Sequence, residues 1–144
     1  MYYGEGMPWI KTGELNDSFV CKASESVTKL AVDECHLPIS KPGDVLIAMY
    51  GATIGKLGIC KINCVTNQAC CSCTPYEYVD NQFLFYFLMA ARPQIIQMAA
   101  GGAQPNISKE KILAFQFSFP KMQQQKMIVS KIEEIFSKLS WLYL

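Results

Sequence analysis

The hydrophobic pattern of the chain changes period near its C-terminal end. Phe115, Phe117 and Phe119 alternate with Gln116 and Ser118, which is the period of a strand with one buried face. That run, Ala114 to Phe119, stops at Pro120, which has no N–H to give a ladder. Beyond it Ile128, Ile132, Ile135, Leu139 and Leu142 follow at alternating steps of four and three, which places one narrow apolar seam on a helix. Gln124, Lys126, Lys131, Glu133 and Lys138 lie off the seam. The same pattern also suits an amphipathic helix folded back on its own domain. The switch in period predicts a domain over residues 1–119 and a protruding helical appendage over residues 120–144.

Upstream, two apolar runs, Val45 to Met49 and Lys56 to Ile62, read as strands joined by a turn in which Gly51 and Gly55 supply backbone freedom. The tip of that turn carries Tyr50, Thr53 and Lys56. Asp80 is placed to cap a helix through Phe83, Leu84, Phe85, Tyr86, Phe87 and Leu88, whose apolarity on nearly every side predicts burial. Arg92-Pro93 is expected to interrupt it, Ile95 and Ile96 to continue it briefly, and Gly101-Gly102 to stop it. A polar loop, Ala103-Gln104-Pro105-Asn106, follows, and Ser108 is placed to cap a short turn containing Lys109, Lys111 and Ile112. The sum is an α+β domain, mixed or antiparallel and β-rich, with one buried helix and a C-terminal coil.

The 144 residues, 51% of them hydrophobic, suffice for one domain with a core and an appendage. A net charge of +1 lacks the basic excess usual in non-specific phosphate binders, so any nucleic-acid contact has to be local. The sequence carries no secretion leader and no apolar run of membrane length, which predicts a cytoplasmic protein without membrane contact.

Seven cysteines, an odd number without a secretion signal, point to reduced thiols. Cys60, Cys64, Cys70, Cys71 and Cys73 cluster in sequence and raise a metal-binding or thiol-dependent alternative. Their spacing departs from paired Cys-x2-Cys, and Cys70, Cys71 and Cys73 fall on a probable strand where neighbours alternate faces. Small buried apolar residues are the plainer reading, so no metal ligand is assigned. The single His36 sits near Pro38 in a loop, Asp33 and Glu34 are read as neighbours in a polar loop, and Glu133 and Glu134 lie on the coil; no nucleophile motif accompanies them. Gly51-Ala-Thr-Ile-Gly55-Lys56 imitates a phosphate loop, but it is one residue short between the glycines and has Leu57 where Ser or Thr would hold magnesium. No catalytic residue and no cofactor is assigned.

Five ordered segments together carry a resemblance: Pro8-Trp9-Ile10-Lys11-Thr12-Gly13-Glu14-Leu15, Gly43-Asp44-Val45-Leu46-Ile47, Gly51 to Lys56, Asn67-Gln68-Ala69 and Gln104-Pro105-Asn106-Ile107-Ser108. In kind and order they resemble a target-recognition domain from the specificity subunit of type I restriction-modification systems. The stretch Pro120-Lys-Met-Gln-Gln-Gln125 through Phe136 is similar to that family's spacer helix, with Lys121 and Gln124 departing from its Pro-Pro-Leu-x-Glu-Gln pattern. Family domains begin with a further strand and helix before the segment matching Tyr2-Tyr3-Gly4, so the domain is expected to be N-terminally short, and a truncated, inactive remnant is the other outcome.

The resemblance implies a non-catalytic module that reads one half of a bipartite site in double-stranded DNA. It implies docking on a methyltransferase subunit and a motor-nuclease subunit, and pairing of the spacer helix with a second specificity half or a second copy through Ile128, Ile132, Ile135, Leu139 and Leu142. Amide side chains pair with adenine edges in the major groove, and lysines with guanine or phosphate. On that chemistry the candidate DNA contacts are Asn67, Gln68, Gln104 and Asn106 as amides and Lys11, Lys56 and Lys109 as cations, with Thr12, Tyr50, Thr53 and Ser108 in support. Segments shared across a family whose members read different sequences suit backbone contact or fold support better than base reading.

Overall fold

The computed structural model describes residues 2–99 and 106–140. Within them seven strands, β1 (Tyr3–Ile10), β2 (Ser18–Val20), β3 (Glu25–Val27), β4 (Val45–Ala48), β5 (Leu57–Cys60), β6 (Val65–Thr66) and β7 (Cys70–Cys73), form two sheets. The smaller has the order β3-β1-β6 and the larger β2-β5-β4-β7. Four helices accompany them: α1 (Lys29–Glu34), α2 (Asn81–Ala99), α3 (Lys109–Leu113) and α4 (Met122–Ser140). The fold is α+β, with antiparallel pairs β1–β3, β4–β5 and β4–β7 and parallel pairs β1–β6 and β2–β5.

The larger sheet is buried on both faces, which is why β4 reads as an unbroken apolar run rather than an alternation. Val45, Ile47 and Met49 join Phe85, Leu88 and Ile95 of α2 in the main core. Leu46 and Ala48 point the other way, toward Ile10, Leu15, Val20 and Cys60. The five clustered cysteines are divided by the same sheet: Cys71 and Cys73 lie on the α2 face, while Cys60, Cys64 and Cys70 lie on the opposite one. Among the described residues no group of three or more His, Cys, Asp or Glu side chains is placed to hold a metal ion. Burial pushes the Cys70 thiol up to about 12, so it stays protonated at neutral pH.

Several sequence expectations need correction. Pro93 does not interrupt α2, which runs through it from Asn81 to Ala99; Ala91 and Ile95, both buried, hold the segment to the sheet on either side. The end of that helix at Gly101-Gly102 lies outside the described residues. Asp33 and Glu34 close α1, whose Thr28 cap accepts the Ala31 N–H at 3.2 Å, and are not in a loop. The segment Ala114 to Phe119 is not a strand, since Ala114 ends α3 and residues 116–120 pair with no neighbour. Its alternation has another cause: the extended backbone lays the Phe117 ring 4.5 Å from Phe87 and the Phe115 ring 6.2 Å from the same residue. A helix, rather than a strand, is what that face covers.

The caps match expectation. Asp80 Oδ1 accepts the Phe83 N–H at 3.0 Å, and Ser108 Oγ accepts the Lys111 N–H at 3.3 Å. β1 carries two glycines and a proline, so the sequence pattern gives it no signature. Gly6 is required where β1 slips register against β3, because a Cβ there would stand 2.4 Å from the Val27 carbonyl oxygen.

Helix α4 does not simply protrude. Gln125 and Val129 are buried, the Phe136 ring lies 6.1 Å from Tyr86, and Gln82 Nε2 donates to Glu133 Oε1 at 2.6 Å, so α4 rests on α2 as far as Phe136. The latch is Gln125, a fully buried carboxamide. Its Oε1 accepts the Asp80 N–H at 2.8 Å, and its Nε2 donates to the carbonyls of Tyr78 at 2.9 Å and Pro120 at 2.8 Å. The apolar seam sits on the neighbouring stripe, with Ile128, Ile135 and Leu139 exposed by 42%, 47% and 44% and Ile132 half-buried. Leu142 lies outside the described residues.

Candidate nucleic-acid interface

Backbone pairing gathers the candidate residues at one end of the two sheets. β4 leaves the sheet at Met49, whose N–H donates to Ala69 O at 2.7 Å and whose carbonyl accepts from Ile107 at 3.0 Å; next to it Tyr50 bridges Asn106. The Asn67 N–H donates to Ile10 O at 3.1 Å, which brings the turn carrying Asn67 and Gln68 beside Lys11 and Thr12. The 3₁₀ turn at Gly51–Thr53 closes the same end, since the Gly55 N–H donates to Ala48 O at 2.9 Å. Asn106 also reaches Ala99 O at the end of α2, at 3.4 Å. Four separate loops, far apart in sequence, thus share one surface. Gln104 lies outside the described residues.

The cations in this group differ in what they are free to do. Lys11 is paired with Glu25 and stands 5.7 Å from the centre of the Trp9 ring. Lys56 pairs with Asp17 at 3.3 Å. Lys109 is exposed and forms no ion pair among the described residues, which makes it the least committed of the three. Among the polar residues Tyr50, Gln68 and Asn106 are exposed. Ser108 is occupied as the α3 cap, and Thr53 donates to Tyr50 O at 3.4 Å, so both support loop shape. The Asn67 Oδ1 is buried with no hydrogen-bond partner among the described residues.

Two residues that sequence reasoning passed over hold this end together. Asp17, in the left-handed region at φ 56, accepts the Leu57 N–H at 3.0 Å and the Arg92 guanidinium at 2.5 Å. Arg92 Nε also donates to Gly55 O at 2.9 Å. One α2 side chain therefore anchors both the loop before β2 and the turn before β5. Partial burial works against the Asp17 carboxylate, but the Leu57 N–H, Arg92 and Lys56 outweigh it and hold its pKa below the ordinary value. Gly55, at φ +79, has no room for a side chain, since a Cβ would lie 2.9 Å from Arg92 Cγ. The signal in the sequence was an arginine in an otherwise uncharged helix, which has to find a partner.

The lookalike phosphate loop is thus a structural turn tied to α2, and four of the motif segments meet at one end of the sheets through Lys11–Thr12, Gly51–Lys56, Asn67–Ala69 and Asn106–Ser108, while Gly43–Ile47 forms the far end and buried body of β4. Residues 2–140 match the model of the type I restriction modification DNA specificity domain. The chain belongs to that family. Among curated members, it is 25% identical over 134 residues to the type I restriction enzyme MjaIX specificity subunit of Methanocaldococcus jannaschii, covering 90% of this chain and 31% of that one. It is 26% identical over 137 residues to the putative MjaX specificity subunit of the same organism, covering 92% and 30%. The chain therefore spans about a third of the length of these specificity subunits.

Solved structures agree on the fold. A chain from a structural study of complex assembly and conformational transition in the type I R-M system superposes with a TM-score of 0.80 at 19% identity, over 96% of this chain and 33% of that chain. The HsdS subunit from Thermoanaerobacter tengcongensis gives 0.74 at 20% identity, over 97% and 32%. At these identities the likeness concerns the specificity-domain fold itself.

Proposed function

We propose that this specificity domain is a non-catalytic DNA-reading module that recognises one half of a bipartite site in double-stranded DNA within a type I restriction-modification complex. The observation that carries the reading is the convergence of four loops at one end of the sheets, in a chain that belongs to a DNA specificity family. Exposed Gln68 and Asn106 have amides suited to base edges, and Tyr50 and Lys109 flank them for phosphate or sugar contact. Lys11, Thr12, Thr53, Lys56, Asn67 and Ser108 fix the loops that present them, and Gln104 belongs to the same segment as Asn106.

Binding local rather than spread over the surface accords with the net charge of +1. The domain docks on a methyltransferase subunit, which supplies the methyl-transfer chemistry, and on a motor-nuclease subunit; the complex works in the cytoplasm. Residues 1–119 read DNA, and residues 120–144 space the domain from a second half. The 19 residues of α4 extend about 28 Å at about 1.5 Å per residue, close to one turn of DNA, which suits a ruler between half-sites.

Co-expression with the cognate methyltransferase subunit, followed by methylation sequencing of the host DNA, tests this. A symmetric bipartite motif is expected if two copies act together and an asymmetric one if a different half is recruited. Absence of both complex and modification would refute the reading.

A further inference from the structure

Strand β2 is an open edge of the larger sheet. It pairs with β5 alone, and the Lys61 N–H donates to Val20 O at 3.0 Å, which fixes the phase of that parallel ladder. Ser18 and Val20 bond inward to β5, so the Phe19 N–H and C=O point out of the sheet, with no backbone partner among the described residues. Residues in register share a face: Val20 lies beside Cys60 in the second core, and Phe19 lies beside Ile59 on the α2 face. The Phe19 side chain is 46% exposed. An unpaired donor and acceptor at an accessible sheet edge form a template for one more strand.

A cleft of about 200 Å³ opens on the α2 face beside this edge, between β2, α2 and α4, with Asp17, Phe19, Gln82, Phe85, Tyr86 and Glu133 in its walls. Three of these side chains are aromatic, and Phe85 and Tyr86 meet edge to face at 5.3 Å. The charge of the cleft is negative. Asp17 is neutralised by Arg92 and Lys56, whereas Glu133 forms no ion pair among the described residues and accepts only from Gln82, on Oε1. Its neighbour Glu134 is paired with both Lys131 and Lys138, but the residues three and four away from Glu133 on α4 are Val129, Ser130, Phe136 and Ser137, none of them a cation. Burial and the Glu133 carboxylate both raise the Tyr86 pKa, so the negative field reaches the aromatic wall. The Lys61 ammonium stands 4.0 Å from the centre of the Phe19 ring, a cation already seated on one of these rings, and it reaches no carboxylate among the described residues.

We infer that the β2 edge and this cleft form a docking site for an extended, arginine-bearing segment of a partner protein. The segment adds to the sheet through the Phe19 N–H and C=O, and its arginine enters the cleft to pair with Glu133 against Tyr86; main-chain bonds then supply affinity and the cleft supplies specificity. Alternate residues of an added strand project on one face, so the residue opposite Phe19 is delivered to the α2 face, beside Tyr86 and Glu133. Guanidinium suits this site better than ammonium because it is planar, stacks on aromatic rings and pairs a carboxylate through two parallel donors, and Glu133 Oε2 has no partner among the described residues. An aliphatic side chain would cover the Glu133 carboxylate without a counter-charge, and a phosphate would meet a like charge. None of Tyr50, Gln68, Asn106 and Lys109, the exposed residues proposed to face DNA, lines the cleft. The inference goes beyond the DNA reading and does not depend on it.

The probe is a capped pentapeptide, acetyl-Thr-Val-Arg-Val-Thr-amide, titrated into the isotope-labelled full chain and followed by nuclear magnetic resonance. The control is the same peptide with citrulline for arginine, which keeps the shape of the side chain and removes its charge. Saturable shifts are expected at the backbone amides of Phe19, Tyr86 and Glu133, and the arginine peptide should bind about tenfold more tightly than the citrulline one. Glu133→Gln keeps an acceptor for Gln82 and should bring the two peptides to one affinity at an unchanged melting temperature. Equal affinity of the two peptides for the unsubstituted chain would overturn the arginine socket, as would a preference that survives Glu133→Gln. Shifts confined to the loops at the DNA-reading end, or no saturable binding up to millimolar peptide, would overturn the docking site. The methylation experiment scores DNA reading independently of these outcomes.

Discussion

Asp17 and Arg92 show how much of the candidate interface depends on residues that tie its loops together from behind. Arg92 donates to the Asp17 carboxylate and the Gly55 carbonyl together, so Arg92→Met takes the side-chain donor from Gly55 O and leaves Asp17 with only the Leu57 N–H and Lys56. A loss of about 2 kcal/mol in unfolding free energy is expected, checked by denaturant titration. The Asp17 pKa is depressed in the folded state, so the stability it contributes is complete above its unfolded value and is lost as pH falls through the folded one. Asp17→Asn should therefore lower stability at neutral and alkaline pH, where the carboxylate contributes in full, and flatten the fall on the acid side. Gly55→Ala is expected to loosen the Gly51–Thr53 turn, because the added Cβ collides with Arg92 and φ +79 is strained for any other residue. By contrast Lys109, unpaired among the described residues, belongs to the surface; Lys109→Ala should lower DNA affinity similarly across sequences and reduce the salt slope by about 1, without altering thermal stability.

At the scale of elements, α4 carries two adjacent stripes with separate consequences. The inner stripe is latched by Gln125, whose truncation to Ala would leave the Asp80 N–H and the Tyr78 carbonyl unpaired in a buried site. About 2 kcal/mol of destabilisation is expected, with a lower melting temperature as the readout. The outer stripe is exposed, so Ile135→Asp with Leu139→Asp should abolish self-association measured by sedimentation and leave the melting temperature unchanged. Unaltered mass would show that the seam is not an interface. Heptad spacing revealed the outer stripe directly. It did not reveal the inner one, because Gln125 is polar and breaks the apolar pattern that periodicity detects. The alternation of Phe115, Phe117 and Phe119 misled in a different way: period two reports extended backbone against an apolar surface, and α2 provides that surface as well as a sheet would.

At the scale of the whole molecule, the sequence by itself determined the class of fold, the capped and buried α2, the strands on either side of the Gly51–Gly55 turn, and the family, since each of these is encoded in local spacing or short ordered motifs. It also indicated, through alternation along β7, that Cys70 falls on the face opposite to Cys71 and Cys73. Only the tertiary structure decided which polar residues share a surface, because the pairing of Tyr50 with Asn106 and of Asn67 with Ile10 joins segments distant along the chain. It likewise decided that Lys11 and Lys56 are committed to Glu25 and Asp17, that Pro93 is carried within a helix, and that α4 rests on α2 through Gln125 and Phe136. Periodicity records which side of an element is apolar; the identity of what covers that side is a property of long-range packing, and no local pattern contains it.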